Sequence, residues 1–260
     1  MKKGISLFFG FDIEIGTRIK MIKDAGFDCV ITNADKRLNK QNGSISKQMK
    51  LLKKYNLQPS SLHMRYIQDD LPYFWQKGRK GDKIEKNIKK DLKIAKKYGF
   101  KCVVMHCAGE YSLIGEQRFY HILSLCQKLD IPIAVENLLS SKLFVEIFKN
   151  IKNRYLKFCY DSGHDNCDND DKNYFESFGE KLITLHLHDN DGKKDQHTLN
   201  KAGTIDWKMI AKNIKKYSPE INLDYEIKCL AGCDNMTAND VLCEVKKQAD
   251  KLEEMIKNQM

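Results

Sequence analysis

Short apolar runs alternate with longer amphipathic segments along the whole chain. The runs are too short for helices and are bounded by Gly, Pro or polar residues, so they read as strands. They fall at Gly4–Phe9, Cys29–Thr32, Ser60–Met64, Cys102–His106, Pro132–Glu136, Phe158–Asp161, Leu182–His186 and Leu223–Ile227. The segments between them place apolar residues three and four apart, the spacing of a helix with one buried face. These are Ile13–Ala25, Ser44–Tyr55, Lys83–Tyr98, Gln117–Leu129, Leu143–Asn150, Tyr174–Phe178, Trp207–Lys216 and Ala238–Ile256. Gly26 and Gly99 stand where the first and third of these should stop, as glycine does at helix ends.

Eight strand–helix units in alternation imply parallel strands joined by right-handed crossovers. Eight of them predict an α/β fold closed into a (β/α)8 TIM barrel. The competing architecture is an open doubly wound sheet, whose first and last strands would not pair. Neither GxGxxG nor GxxxxGK[ST] occurs, so nucleotide binding has no support.

At 260 residues and 42% hydrophobic content, the chain suits one domain over 1–260, and no low-complexity linker divides it. Lys+Arg 45 against Asp+Glu 35 gives a formal charge of +10. The excess is mostly Lys spread over helical stretches such as KNIKKDLKIAKKYGF, which describes a solvated surface better than a polyanion track. The nine Cys include no CxxC pair, and no signal peptide is evident. Reduced thiols and a cytoplasmic location are therefore expected. The apolar run in MKKGISLFFGFDIEIG is too short to span a membrane, so no membrane partner is expected.

Ligand-type residues stand at the ends of successive strands: His63, His106, Glu136, then Asp161 with His164, then His186 with His188, then Glu226. After strand seven, Asp189, Asp191, Asp195 and His197 follow in a Gly-containing loop. Every His except His121 belongs to this set. Taken singly, each has an ordinary structural reading, as a hydrogen-bonded core histidine or a loop carboxylate. His121, on the amphipathic RFYHILSLCQKL, keeps that reading. Together they converge on the mouth of a barrel, where active sites lie. Several carboxylates in a half-buried mouth cannot all ionise without a cation. A divalent metal ion meets that need, and mixed Glu, Asp and His donors suit Mn²⁺, Zn²⁺, Mg²⁺ or Co²⁺. His186 and His188 alternate along one strand and point to one face, so the residues alone do not choose between them.

The motifs IAVENL, YDSGHDN, LHLHDNDGKKDQH followed by GTIDW, and YEIK give nearly the whole chain a family resemblance. It resembles the xylose-isomerase-like barrel superfamily, in particular its sugar phosphate isomerases and epimerases. The resemblance implies one divalent ion held by Glu136, Asp161, His186 and Glu226. His186 is preferred because the family's ligand stands three residues before an acidic residue, here Asp189. Glu136 and Glu226 would be the acid/base pair. His63, His106, His164, His188, Asp195, His197 and Lys228 would bind a small-molecule sugar or sugar phosphate. The same superfamily contains the endonuclease IV family, which implies an alternative. Up to three zinc ions would then be held with the help of His63, His106, His164, Asp195 and His197, and nucleic acid would be the substrate. The segment LNKAGTIDW lacks that family's Gly-Glu-Gly element, and the surface is poor in Arg. A non-catalytic metal-binding barrel is a third reading, and a homo-oligomer stays open.

Overall fold

In the computed structural model, residues 1–168, 173–200, 203–229, 233 and 235–259 are described. Eight strands pair in parallel in the order β7-β6-β5-β4-β3-β2-β1-β8. They are β1 (Lys3–Ser6), β2 (Cys29–Asn33), β3 (Gln58–His63), β4 (Cys102–Met105), β5 (Ile133–Glu136), β6 (Leu156–Asp161), β7 (Leu182–His186) and β8 (Leu223–Tyr225). The ring closes just past the end of β7. Leu187 bridges Tyr225, with the Leu187 N–H donating to the Asp224 carbonyl and the Glu226 N–H donating to the Leu187 carbonyl, each at 2.9 Å. The sheet is thus the expected barrel and not an open sheet with two free edges.

Among the described residues, ten α-helices accompany the strands: α1 (Ile15–Asp24), α2 (Asn39–Asn42), α3 (Ile45–Lys54), α4 (Arg79–Tyr98), α5 (Leu113–Leu129), α6 (Ser141–Asn150), α7 (Ser162–Cys167), α8 (Tyr174–Phe178), α9 (Trp207–Tyr217) and α10 (Ala238–Lys257). Helix α4 buries Ile88, Leu92 and Ala95 on one stripe. It stops at Gly99, whose φ of 74° is left-handed and whose N–H donates to the Ala95 carbonyl. Helix α10 starts with a reciprocal Thr237–Asp240 capping box. Helix α5 begins four residues before the apolar pattern suggests, because Ser112 caps it. Its first turn carries the exposed Leu113, so that turn has no buried stripe to read. The 3₁₀ segment Gln68–Trp75 has no counterpart in the sequence reading. Pro72 breaks its pattern, yet Leu71, Phe74 and Trp75 are buried.

Residues alternate along each strand between the barrel interior and the helix layer. Val103, Met105, Ile133 and Val135 join the main apolar core, while Cys102, Val104, Ala134 and Cys159 form a small inner cluster. The inward positions lead directly to the candidate ligands. Two residues beyond Ala134, Cys159, Thr184 and Asp224 come Glu136, Asp161, His186 and Glu226. The strand period is what aims these side chains into the mouth.

Cysteine usage departs from expectation at one place. Cys229 and Cys233, with Cα atoms 5.5 Å apart in the loop after β8, are joined by a disulfide. Their spacing is wider than CxxC, so the pair was not visible as a motif. The other seven Cys are free thiols, as expected. Among the described residues, no helix is long and apolar enough to cross a membrane.

Candidate active site

A cavity of about 750 Å³ opens at the C-terminal ends of the strands. His63, His106, Glu136, His164, Asp195, His197, Glu226 and Lys228 line it. Asp161, His186 and His188 lie against this set and are fully buried. These eleven candidates therefore meet at one place. His121 does not: it is half-exposed on α5, with Nδ1 3.1 Å from the Glu85 carboxylate.

The Glu136 carboxylate is the hub. Its Oε2 lies 3.1 Å from His106 Nε2, 3.1 Å from His186 Nδ1 and 3.7 Å from His63 Nε2. Its Oε1 lies 3.3 Å from His164 Nδ1. Glu226 Oε2 reaches the same His186 Nδ1, also at 3.1 Å. Among the described residues, five sets of three donor atoms, several of them sharing a residue, each fall within 4.8 Å of one another. They include His63, His106 and Glu136; Asp161, His186 and Glu226; His188, Asp195 and His197; and Glu136, Asp161 and His164.

The backbone fixes how several rings present themselves. His63 Nδ1 lies 3.0 Å from the Met64 carbonyl, His164 Nδ1 2.9 Å from that of Asn137, and His197 Nδ1 2.7 Å from that of Glu226. A carbonyl only accepts, so each Nδ1 carries a proton and each ring turns its Nε2 edge the other way, towards His106 at 3.0 Å for His63 and towards the Asp195 carboxylate at 3.5 and 3.1 Å for His164 and His197. The two rings of strand seven, inseparable by sequence, part company here. His186 faces both Glu136 and Glu226, whereas His188 Nε2 lies 3.0 Å from Asp161 Oδ1 and its ring stacks on His197 at 3.9 Å. Gly163 makes room for this ring, since a Cβ there would stand 1.9 Å from His188 Cε1.

Two acidic residues of the loop after β7 do structural work instead. Asp189 accepts from the Trp207 indole N–H at 3.0 Å and from the Asn190 and Ile205 N–H groups at 2.8 and 3.3 Å. A Cβ at Gly203 would stand 1.8 Å from its Oδ1, which explains the glycine of GTIDW. Asp191 accepts from the N–H groups of Lys193 and Lys194 and shapes an exposed turn. Asp195 and His197 alone carry the loop back to the cavity.

Three neighbours of the site escaped the sequence reading. The Asn137 side chain donates to the Asp161 carbonyl and accepts the Asp161 N–H at 2.9 and 2.7 Å, tying β5 to β6. Its adjacency to Glu136 in IAVENL was the available signal. Tyr66 packs against the His106 ring at 4.6 Å. The Cys159 thiol lies with Glu136 and His186 in the fifth close set, on the inward face two residues before Asp161.

The sequence model of the xylose isomerase-like TIM barrel family matches residues 19–245, most of the chain. The chain belongs to this family. Protein MJ1614 of Methanocaldococcus jannaschii is 24% identical over 254 residues, covering 90% of this chain and 96% of its own length. Protein y4fM of Sinorhizobium fredii is 34% identical over 108 residues, covering 39% of this chain, and the match spans 35% of y4fM. Among solved structures, a D-tagatose 3-epimerase-like protein superimposes with a TM-score of 0.77 at 20% identity, over 99% of this chain and 98% of the other. D-psicose 3-epimerase from Clostridium cellulolyticum H10, with D-tagatose, gives 0.70 at 12% identity over 99% and 98%. The IolI protein with a binding zinc atom gives 0.70 at 15% identity over 100% and 99%. At these identities the likeness establishes the fold.

The electrostatics of this xylose isomerase-like barrel match its donor set. Burial pushes the Glu136 carboxyl up, but the surrounding imidazoles reverse this and hold it well below the usual carboxylate range. Burial likewise opposes ionisation of Asp161 and Glu226. His164 and His188 pull the first down, and Lys228, His186 and His197 the second. In return His164 and His186 are raised well above the ordinary imidazole value, against the cost of burial. Positive charge is therefore demanded here. Despite their 3.1 Å contacts, His186 Nδ1 and Glu136 Oε2 make no well-directed hydrogen bond, and His186 Nε2, His106 Nδ1 and His188 Nδ1 are likewise buried without one among the described residues. Unsatisfied nitrogen and oxygen donors converging on a carboxylate hub fit a divalent cation.

Proposed function

We propose that the protein is a metal-dependent isomerase or epimerase acting on a sugar or sugar phosphate by proton transfer next to a carbonyl. The observation that carries this reading is the pair of glutamates, Glu136 and Glu226, both 3.1 Å from His186 Nδ1 yet borne by strands β5 and β8. In the closed ring these strands are three places apart, so the two carboxylates approach a bound substrate from different sides. Glu136, Asp161, His186 and Glu226 would hold one divalent ion. Bound there, the ion supplies a positive charge for the substrate oxygens and for the negative charge that develops on the carbonyl oxygen. One glutamate removes the carbon-bound proton and the other returns it. His63 and His164, oriented by the backbone carbonyls at their Nδ1 atoms, present their Nε2 edges to substrate hydroxyls. Lys228, whose Nζ lies 2.7 Å from His197 Nε2 and 3.5 Å from Glu226 Oε1, and His197 with Asp195 close the other side. The sugar-epimerase character of the structural neighbours supports this reading.

The test is exchange of carbon-bound protons in deuterated water across ketoses, aldoses and their phosphates, with metal-replete protein. Exchange is expected for at least one substrate. Glu136→Gln and Glu226→Gln should each lower its rate by about 10²–10⁴-fold while the fold is kept. An absence of exchange across the panel, or variants as fast as wild type, overturns the assignment.

A second reading has its own observation. Three of the five donor sets share no residue with one another and would suit three metal ions, as in the endonuclease IV family that the motifs also resemble. About three tightly held zinc ions per chain, together with cleavage of abasic DNA, would establish it in place of the first.

A further inference from the structure

The cavity lining is chemically mixed. Its buried part, the floor, is made of the imidazoles and carboxylates, and its more exposed part, the wall, carries Phe8, Leu38, Leu138 and Leu139 among polar residues such as Asn33, Gln41 and Gln68. Phe8, Leu38 and Leu138 are half-buried, and Leu139 is 53% exposed. They come from three separate connections, after β1, β2 and β5, so no single turn accounts for them. Single apolar residues on a surface need no explanation, but apolar residues gathered in one concavity beside convergent polar groups describe a ligand site.

Size and charge narrow the ligand. About 750 Å³ lies in the upper part of the range, roughly 300–1,000 Å³, that encloses ligands larger than one small ring. A monosaccharide seated on the polar floor leaves the apolar residues of the wall in water. Among the described lining residues the cationic side chains are Lys142 and Lys228. Lys142 is exposed at the rim, and Lys228 is engaged by Glu226 and His197. A phosphate laid along the wall would lose hydration against leucines without gaining a buried cation.

We propose that the cavity takes a sugar conjugate: a glycoside whose sugar ring, carrying a ketone, lies on the imidazole–carboxylate floor and whose apolar, ring-sized aglycone covers Phe8, Leu38, Leu138 and Leu139. Proton transfer requires that ketone because the glycosidic bond masks the anomeric carbonyl. Simple glycosides lack the ketone and serve as non-reacting binding analogues. This rests on the sugar reading of the floor and specifies its substrate class. The aglycone touches no reacting atom, so the wall contributes to affinity and not to the proton-transfer step.

The experiment is calorimetric titration of the metal-loaded protein with 4-nitrophenyl glycosides of common hexoses in both anomeric forms. The matching methyl glycosides, free hexoses and hexose 6-phosphates complete the panel. At least one aryl glycoside should bind about tenfold or more tighter than its methyl counterpart, the gain expected from burying one apolar ring. The double variant Leu138→Ser/Leu139→Ser, its fold verified by circular dichroism, should bring that ratio close to one. Equal affinities for aryl and methyl glycosides, a ratio unchanged in the variant, or tightest binding of a 6-phosphate overturns the proposal. If free sugars exchange protons but no aryl glycoside gains affinity, the conjugate falls and the sugar reading stands. If nothing in the panel binds or exchanges, both fall.

Discussion

His63 should be neutral in the folded protein well below the pH at which an exposed histidine protonates. Burial is the main cause, the neighbouring His106 adds to it, and Glu136 and Glu226 only partly offset them, leaving the ring at about 4 against an ordinary 6.5. The folded pKa is depressed, so the folded state refuses a proton that the unfolded chain accepts. Stability from this group is therefore present above 6.5 and is lost as pH falls towards the folded value. The full difference is worth about 3 kcal/mol, of which about 2 kcal/mol should disappear between pH 7 and pH 5. His164 and His186 are raised and act in the opposite sense, contributing stability below 6.5 that is lost as pH rises through their folded values. A difference measurement isolates His63. Urea unfolding of the metal-free protein, followed by tryptophan fluorescence at pH 7 and pH 5, is compared with that of His63→Asn. The variant should show about 2 kcal/mol less acid-linked loss than wild type. Equal losses in the two proteins would mean that His63 is charged in the fold, and the reasoning about its buried, neutral ring would fail with it.

Two further outcomes bear on the site. Gly163→Ala puts a methyl group 1.9 Å from His188 Cε1, so the ring must leave Asp161. Stability should drop by about 1–3 kcal/mol and metal affinity should weaken, read by thermal melting and chelator competition; an unchanged melting temperature with unchanged affinity sinks the packing argument. Metal removal by chelation should destabilise the protein, and restoring a divalent ion to about a hundred times its Kd should return about 2.7 kcal/mol. Identical unfolding curves with and without Mn²⁺, Co²⁺, Zn²⁺ and Mg²⁺ would contradict the proposed ion.

Much of the fold was legible because the barrel writes two periods plainly. Buried strands give short apolar runs, and each run ends in the residue that the strand aims at the mouth. Glu136, Asp161, His186 and Glu226 could be picked out for that reason. What escaped depends on contacts between segments remote in sequence. Asp189 looked like one more ligand-type residue, and only its bond to the Trp207 indole and the close approach of Gly203 reveal a loop tie. His186 and His188 share a face, and only the neighbouring strands give them different partners. Cys229 and Cys233 carry no recognisable spacing, and only the 5.5 Å between their Cα atoms reveals the pair.

The bridge between Leu187 and Tyr225 has a mechanical consequence. Strands β7 and β8 are joined at the mouth end by the two backbone bonds around Leu187, immediately between His186 and His188 on one side and beside Glu226 on the other. The circumferential joint of the barrel and the proposed ion site therefore share the same few residues. An ion gripped by His186 and Glu226 would act as a rivet across this seam, drawing together two strands that meet over only a short length. Opening the seam would pull the acid/base partner on β8 away from the one on β5. Mechanical integrity of the ring and alignment of its chemistry would then be lost in a single motion, with the rim loops still in place.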